Sequence, residues 1–178
     1  MSTLTITKSE TELKLNEAIS GVINHLTDNP ENSKATFSVT SKLEQGFYAN
    51  IKARNFGFIS DEPENLGGEN QGPNPVEYVL GALAACQEIV IKAHAGQLGI
   101  AVKSVKVDVK GDLDLRGFFN ITDVRAGFTN VRYKTFIETD EADPAKLQQL
   151  KDITNKACPV LDIIQNPVPV SGEIFYVN

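Results

Sequence analysis

The fold is decided by residues 72–86, which have the sequence GPNPVEYVLGALAAC. Asn74 is a suitable N-cap for a helix, and Pro75 fits the first helical position, where an N–H group would have no partner. Glu77 stands three residues after the cap, as it does in a capping box. These signals predict that a long helix begins at this point of the chain.

The first half of this predicted helix, residues 78–86, is apolar on every side. A helix of that kind is buried in the centre of a fold or in an interface. Its small residues would allow another backbone to approach closely: Gly81, Ala82, Ala84 and Ala85. The helix is predicted to end near Leu98, because Gly99 can adopt the left-handed conformation that closes many helices.

Ahead of this helix, the pattern predicts another helix, then strands, then a loop. Apolar residues recur at helical spacing in residues 10–26. β-Branched and aromatic residues favour two or three antiparallel strands within residues 36–40 and 47–61. The loop at residues 61–73 holds three glycines, two prolines and four carboxylates.

Beyond the central helix, alternating apolar residues predict half-buried strands at residues 102–115 and 128–139. A helix opens at Asp143-Pro144 and should break at Cys158, because a residue before proline disfavours the helical conformation. A short helix is then predicted from Pro159 to Gln165, and residues 168–177 are predicted to close the fold as a strand. The fold class is therefore α+β, with antiparallel sheets packed with long central helices.

The composition restricts the possible functions. The chain has 178 residues, of which 41% are hydrophobic and 22% charged, as expected for one globular domain. A net charge of −6 argues against a nucleic-acid partner, because phosphates need a basic surface. The apolar run is too short to span a bilayer, and the N-terminus lacks the pattern of a signal peptide. We therefore expect a cytoplasmic protein with no membrane partner.

Two cysteines are the candidates for chemistry, and each also has a purely structural interpretation. Cys86 lies in an apolar helix, where it is either an inert core residue or a thiol that needs a cation brought from elsewhere. Cys158 is predicted to cap a helix, whose free N–H groups favour a thiolate. On spacing alone Cys158 is the better nucleophile, the alternative being a buried residue at a helix corner. A zinc site with His25 and His94 is disfavoured, because no two ligands stand at the usual spacing.

Several short motifs occur in a fixed order: Arg54, Asp61-Glu62-Pro63, Gly67-Gly68, Gly72-Pro73-Asn74-Pro75-x-Glu77, Leu83-Ala84-Ala85-Cys86, Cys158-Pro159 and Asn166-Pro167. Together they resemble the OsmC/Ohr family, the osmotically inducible and organic hydroperoxide resistance proteins. The match runs from about Ala35 to the C-terminus. Residues 1–34 would then be an N-terminal helical extension, and residues 35–178 the OsmC-like domain.

The resemblance implies an intertwined homodimer with an active site at each interface, which reduces organic hydroperoxides in oxidative-stress defence. Cys86 matches the peroxidatic cysteine, Cys158 the resolving cysteine and Arg54 the arginine that activates the thiolate, and Glu77 stands nearest the glutamate that holds this arginine. A sulfenate on Cys86 would condense with Cys158, and an external dithiol, for instance of the lipoyl type, would regenerate both thiols. No metal or bound cofactor is expected.

Two sites depart from the hydroperoxide-resistance branch. There the glutamate directly follows the Asn-Pro pair, whereas here Val76 holds that place and Glu77 comes one residue later. Val160 and Leu161 replace the tyrosine and serine that often follow the second Cys-Pro. The chain therefore resembles the broader OsmC-like branch.

Alternatives stay open at the sequence level. Glu77 and Cys86 are about 13 Å apart along a helix and on opposite faces, so Glu77 acts from a partner chain, through Arg54, or only as a helix cap. A binding protein on the same fold would hold a small apolar ligand and leave the cysteines idle. A structural dimer would perform no chemistry at all.

Overall fold

A computed structural model describes residues 8–177 of the chain, with side chains from residue 10 onward. The helices are α1 (Lys8–Asp28), α2 (Pro75–Gln97), α3 (Leu115–Phe118), α4 (Pro144–Ala157) and α5 (Pro159–Gln165). The strands are β1 (Thr40–Gln45), β2 (Tyr48–Ala53), β3 (Phe56–Ser60), β4 (Val102–Asp112) and β5 (Asn130–Thr139). Single 3₁₀ turns occur at Pro30–Ser33 and Glu64–Leu66.

The first sheet is an antiparallel meander in the order β1-β2-β3. Its register pairs Thr40 with Lys52 and Ala53 with Phe56, and the β1–β2 turn contains Gly46 at a φ of +54°. Neither of the two buried apolar clusters found among the described residues includes a residue of this sheet. The sheet therefore lies at the side of the core and exposes much of its apolar surface.

The second sheet pairs β4 with β5 in antiparallel register from Val102 opposite Thr139 to Asp112 opposite Asn130. Its inward-facing side chains alternate with exposed charged ones, as expected for a half-buried pair of strands. One core cluster joins this sheet to α2 and α4: Ile91, Ala95, Ile100, Val102 and Leu150. A second cluster joins α2 to the start of α5: Leu83, Val90, Cys158 and Leu161. Helix α2 thus contributes fully buried residues to both clusters.

The central helix confirms the prediction from its sequence signals. It begins at Pro75 after an Asn74 cap and ends at Gln97, and Gly99 follows with a φ of +67°. The break between α4 and α5 also lies where Pro159 predicts it, with Cys158 in an extended conformation between the two helices.

The N-terminal helix α1 lies against the C-terminal half of α2. Glu12 forms an ion pair with Lys92 at 2.5 Å, and the Gln97 side chain donates to the Ser20 hydroxyl at 3.3 Å. The side chain of Asn16 occupies the space beside Gly96 into which a Cβ would project. These contacts attach a helix that was predicted at residues 10–26.

Two predicted strands differ from the structure. Residues 36–39 are not in a strand, and β1 instead spans Thr40–Gln45. The β2–β3 hairpin turns at Arg54, so only Ala53 of β2 lies beyond the pair of Thr40 with Lys52.

The predicted C-terminal strand at residues 168–177 is likewise wrong for the isolated chain, in which this segment forms no strand. Its alternating apolar residues find no sheet edge within the chain and stay exposed, including Val170 (89%) and Tyr176 (94%). An alternating pattern requires a neighbouring strand before it can form a ladder.

Candidate active site

The loop that precedes α2 is organised by one buried carboxylate. Asp61, only 2% exposed, accepts hydrogen bonds from three backbone amides: those of Glu62 (2.8 Å), Glu69 (3.0 Å) and Gln71 (3.1 Å). Burial acts to raise the pKa of Asp61, but the three N–H donors stabilise the charged form and the net pKa is lowered. A Cβ at Gly68 would lie 1.8 Å from the Glu62 carbonyl oxygen, so the loop can close in this way only with glycine there.

This loop leads into the N-terminus of α2, where a complete capping box is formed. The Asn74 side chain accepts from the Glu77 amide at 2.9 Å, and Glu77 Oε2 accepts from the Asn74 amide at 2.9 Å. The Asn74 side-chain amide also donates to Glu62 Oε2 at 3.2 Å. Tyr78 donates its hydroxyl to the Ile59 carbonyl, which ties the first turn of α2 to β3. In this chain the carboxylate of Glu77 therefore belongs to a capping box.

The two cysteines, 72 residues apart in the sequence, meet in space. Cys86 projects from the middle of α2, and Cys158 is the N-cap of α5, where its sulfur accepts a hydrogen bond from the Leu161 amide at 3.4 Å. The two Sγ atoms lie 3.0 Å apart and share a hydrogen bond. Both are free thiols, and they need to approach by about 1 Å more to form a disulfide.

The surroundings of the thiols are apolar. Cys158 is fully buried and Cys86 is half-buried. Both cysteines belong to one hydrophobic cluster, whose other members are aliphatic with one tyrosine: Leu83, Val90, Leu161, Val109, Val131, Tyr133, Val160 and Ile164. Such an enclosure excludes water from one side of the pair while Cys86 keeps access to the surface.

Burial raises the pKa of the Cys86 thiol, and the hydrogen bond with Cys158 raises it further. The Val160 amide, at the N-terminus of α5, opposes this effect by donating to the sulfur. None of the groups that act on this thiol within the described part of the chain is a cation. In the isolated chain Cys86 is therefore mostly a neutral thiol at pH 7.

Arg54 lies apart from the thiols in this chain. It occupies the β2–β3 turn with a φ of +56°, and its guanidinium stacks over the Phe56 ring at 5.1 Å from the centroid. The side chain is exposed and forms no ion pair with any described residue. The structure thus brings Cys86 and Cys158 together, and it leaves Arg54 and Glu77 at other positions.

Two residues that sequence reasoning did not single out belong to this region. Gln87 follows Cys86 on α2 and is only 1% exposed. Tyr133, on β5, packs against the thiol cluster and donates its hydroxyl to Asn155 Oδ1 at 2.9 Å. Burial and the nearby Cys158 both raise the pKa of Tyr133. The signal for Gln87 was its position directly after the apolar run of residues 78–86. The signal for Tyr133 was an inward position on an alternating strand.

The family model of the OsmC-like proteins matches residues 68–173, which is more than half of the chain and contains both cysteines. The chain belongs to the OsmC-like protein family. No curated protein matches this OsmC-like chain significantly. Among the described residues, no helix is both long enough and apolar enough to cross a membrane.

Solved structures show the same fold at low sequence identity. An OsmC-like protein from Mycoplasma pneumoniae is 19% identical, with a TM-score of 0.64, and the match covers 75% of this chain and 90% of that one. An organic hydroperoxide resistance protein from Legionella pneumophila is 20% identical, with a TM-score of 0.54 and coverage of 75% and 93%. One from Elizabethkingia anophelis is 16% identical, with a TM-score of 0.56 and coverage of 76% and 92%. These likenesses establish that the chain has the OsmC-like α+β fold.

Proposed function

We propose that this OsmC-like chain reduces organic hydroperoxides with its two cysteines, as part of oxidative-stress defence. The observation that carries the proposal is the 3.0 Å separation of the Cys86 and Cys158 sulfurs in an apolar enclosure. Two free thiols this close can be oxidised to a disulfide with a small movement. Relatives named as organic hydroperoxide resistance proteins share the fold, which supports the same chemistry here.

The proposed reaction has three balanced steps. The Cys86 thiolate attacks the terminal oxygen of the hydroperoxide, so that an S–O bond forms, the O–O bond breaks and the alkoxide takes up a proton to leave as an alcohol. Cys158 then attacks the sulfur of the Cys86 sulfenic acid, and water leaves as the disulfide forms. An external dithiol, for instance of the lipoyl type, reduces the disulfide by exchange and is itself oxidised.

The roles of the two cysteines follow from their exposure. Cys86 is half-buried and open to a substrate on one side, whereas Cys158 is fully buried and held by the Leu161 amide. The accessible thiol therefore meets the peroxide and the buried thiol resolves the sulfenic acid. The apolar surroundings favour alkyl hydroperoxides over hydrogen peroxide.

Activation of Cys86 requires a positive charge, and we propose that it comes from Arg54 of a second copy of this chain. A guanidinium can contact a thiolate and a peroxide oxygen together because its donors form a planar fork. Arg54 is exposed at a hairpin turn and available for such a contact. In the dimer, Glu77 would hold Arg54 with its negative charge while it also caps α2.

Exposed apolar surface supports the homodimer. On α2, Val79 is 41% exposed and Ile89 is 69% exposed, and the neighbouring Ala82 and Ala85 are also exposed. The face of the first sheet beside this helix forms an apolar cavity of about 710 Å³. A single chain rarely leaves so much contiguous apolar surface in water. We propose that the partner covers it and that the C-terminal segment pairs with the partner's sheet.

The proposal is tested by counting thiols and measuring intact mass after one equivalent of cumene hydroperoxide. We expect rapid loss of both thiols and a mass decrease of two hydrogens in the reduced wild-type protein. Cys158→Ser should accumulate a sulfenic acid at Cys86, and Cys86→Ser should not react. The reverse pattern would make Cys158 the nucleophile, and no thiol loss in excess peroxide would contradict peroxidase activity altogether.

A second candidate function is the binding of a small apolar ligand without peroxidase activity. The apolar cavity beside α2 favours it, with lining residues that include Phe47, Phe58 and Tyr78. The experiment above separates the two candidates, because a binding protein would keep both thiols reduced. A bound small molecule recovered from the purified protein would then support this alternative.

A further inference from the structure

A second cavity lies between α2, α4 and β5. Its volume is about 420 Å³, within the range of small-molecule sites. Eight residues line it: Gln87, Ile91, Tyr133, Thr135, Ile137, Lys151, Thr154 and Asn155. It shares no lining residue with the apolar cavity beside the first sheet.

Two polar atoms of the lining residues are buried and have no hydrogen-bond partner within residues 8–177. Gln87 is 1% exposed, and its Nε2 amide finds no hydrogen-bond acceptor among the described residues. The hydroxyl of Thr135, on β5, is also buried and has no hydrogen-bond partner among the described residues. A buried donor left without a partner destabilises a fold by about 1–3 kcal/mol. Two such groups facing one cavity are therefore suited to hold a molecule that accepts hydrogen bonds.

The remaining polar groups give the cavity a positive, donor-rich character. Among the described residues that line it, Lys151 is the single charged one, and none is Asp or Glu. The Asn155 side-chain oxygen accepts from the Tyr133 hydroxyl, so the Asn155 amide N–H₂ is left as a donor. The Thr154 hydroxyl donates to the Leu150 carbonyl at 2.7 Å. Ile91 and Ile137 form the apolar part of the wall. An acceptor-only anionic group with a short alkyl chain matches this arrangement.

We propose that this cavity is a binding site for a small aliphatic carboxylate, held by Gln87, Thr135 and Lys151. The carboxylate would accept from the Gln87 amide, the Thr135 hydroxyl and the Lys151 ammonium, and its alkyl chain would lie against the two isoleucines. The site is adjacent to the thiols, because Gln87 follows Cys86 and Tyr133 contacts both regions. The inference does not require peroxide reduction, since no step of that reaction uses these groups.

The test is a calorimetric titration of the full-length reduced protein with sodium hexanoate, with hexan-1-ol and hexylamine as uncharged and cationic ligands of the same chain length. We expect hexanoate to bind with a Kd of millimolar order or tighter, and hexan-1-ol and hexylamine to bind about tenfold more weakly or not at all. Gln87→Leu and Thr135→Val should each weaken hexanoate about fivefold, the value of one hydrogen bond. Gln148→Leu, the same change on the exposed side of α4, should leave binding unchanged.

Thermal unfolding of the variants distinguishes a loss of binding from a loss of folding. Because Gln87→Leu removes an unpaired buried amide, its melting temperature should not fall in the absence of ligand. Thr135→Val is nearly isosteric and tests the site independently if Gln87→Leu does not fold. Equal binding of hexanoate and hexan-1-ol, no binding at about 20 mM, or unchanged binding in both cavity variants would overturn the proposal. None of these outcomes bears on thiol oxidation, which the peroxide experiment measures separately.

Discussion

Asp61 shows how one side chain can organise a loop. The three backbone amides that donate to the Asp61 carboxylate lower its pKa. The charged carboxylate therefore stabilises the fold at pH values above the ordinary Asp pKa of about 3.9. That contribution is lost as the pH falls through the lowered pKa of the folded state. We expect Asp61→Asn to lower the melting temperature at pH 7 and to reduce the difference in stability between pH 7 and pH 3.

Urea unfolding at the two pH values measures this effect. Asp123→Asn serves as the control, because Asp123 is exposed in the irregular segment after α3. Equal stability losses between pH 7 and pH 3 in wild-type and Asp61→Asn proteins would contradict the assigned role of this carboxylate.

The reactivity of Cys86 gives a second prediction at the residue scale. Burial and Cys158 raise its pKa, so the thiolate fraction and the alkylation rate should increase as the pH rises through that value. In Arg54→Met, which lacks the proposed activating charge, we expect half-maximal alkylation at a pH above the ordinary range for a cysteine, because burial and Cys158 raise the pKa. If Arg54 of the partner activates the thiol, the wild-type midpoint should lie about one pH unit lower.

Site-resolved mass spectrometry of iodoacetamide labelling across pH 6–10 measures these midpoints. Lys52→Met is the matched control, because Lys52 is an exposed cation on the adjoining strand. Identical profiles for wild type and Arg54→Met would exclude Arg54 as the activating residue.

At the scale of the element, variants at the N-terminus of α2 can separate two roles of Glu77, which are capping the helix and holding Arg54. Glutamine also completes a capping box, so Glu77→Gln should keep the stability of the helix start, whereas Asn74→Ala should lose about 1 kcal/mol. If the charge of Glu77 also holds Arg54 in the dimer, Glu77→Gln should reduce the peroxide rate about tenfold at unchanged stability. Stopped-flow thiol oxidation and chemical unfolding measure the two quantities on the same variants. An unchanged rate in Glu77→Gln would leave Glu77 with its capping role alone.

The elements also show where sequence patterns are sufficient. The start of α2 and the break at Cys158 are predicted correctly because each depends on a few neighbouring residues. These are Asn74, Pro75 and Glu77 for the start of α2, and Pro159 for the break. The strand predicted at residues 168–177 is absent from the isolated chain because a strand depends on a partner that local sequence does not supply.

At the scale of the whole molecule, the exposed apolar side chains of α2, which include Val79 and Ile89, predict self-association. We expect Ile89→Glu to convert the proposed dimer to a monomer, because a charge would have to be buried in the proposed interface. Light scattering after size-exclusion chromatography measures the mass directly. Phe136→Glu is the control, since Phe136 is 52% exposed on β5 but alternates away from the α2-facing side chains.

A monomeric Ile89→Glu should also lose rapid thiol oxidation if Arg54 acts across the interface. Retained peroxide reactivity in a monomer would show that each chain activates its own thiol. A wild-type protein that is monomeric in solution would contradict the proposed dimer.

The boundary between the N-terminal extension and the OsmC-like domain, at residues 34 and 35, also concerns the whole molecule. Helix α1 lies outside the region matched by the family model and touches the rest of the chain mainly through the second half of α2. We propose that residues 1–34 are an extension added to an OsmC-like domain at residues 35–178.

The sequence by itself determined the α+β class, the central helix with its cap and the two cysteines as the chemical candidates, because these depend on periodicity, turn chemistry and residue type over short stretches. Only the tertiary structure decided that Cys86 and Cys158 meet at 3.0 Å, since that contact requires α2 and α5 to pack through one apolar cluster. It also decided that Gln87 Nε2 and the Thr135 hydroxyl face one cavity without a hydrogen-bond partner in the described part of the chain. Distances between residues far apart in the chain are set by the packing of whole elements, and no local pattern encodes them.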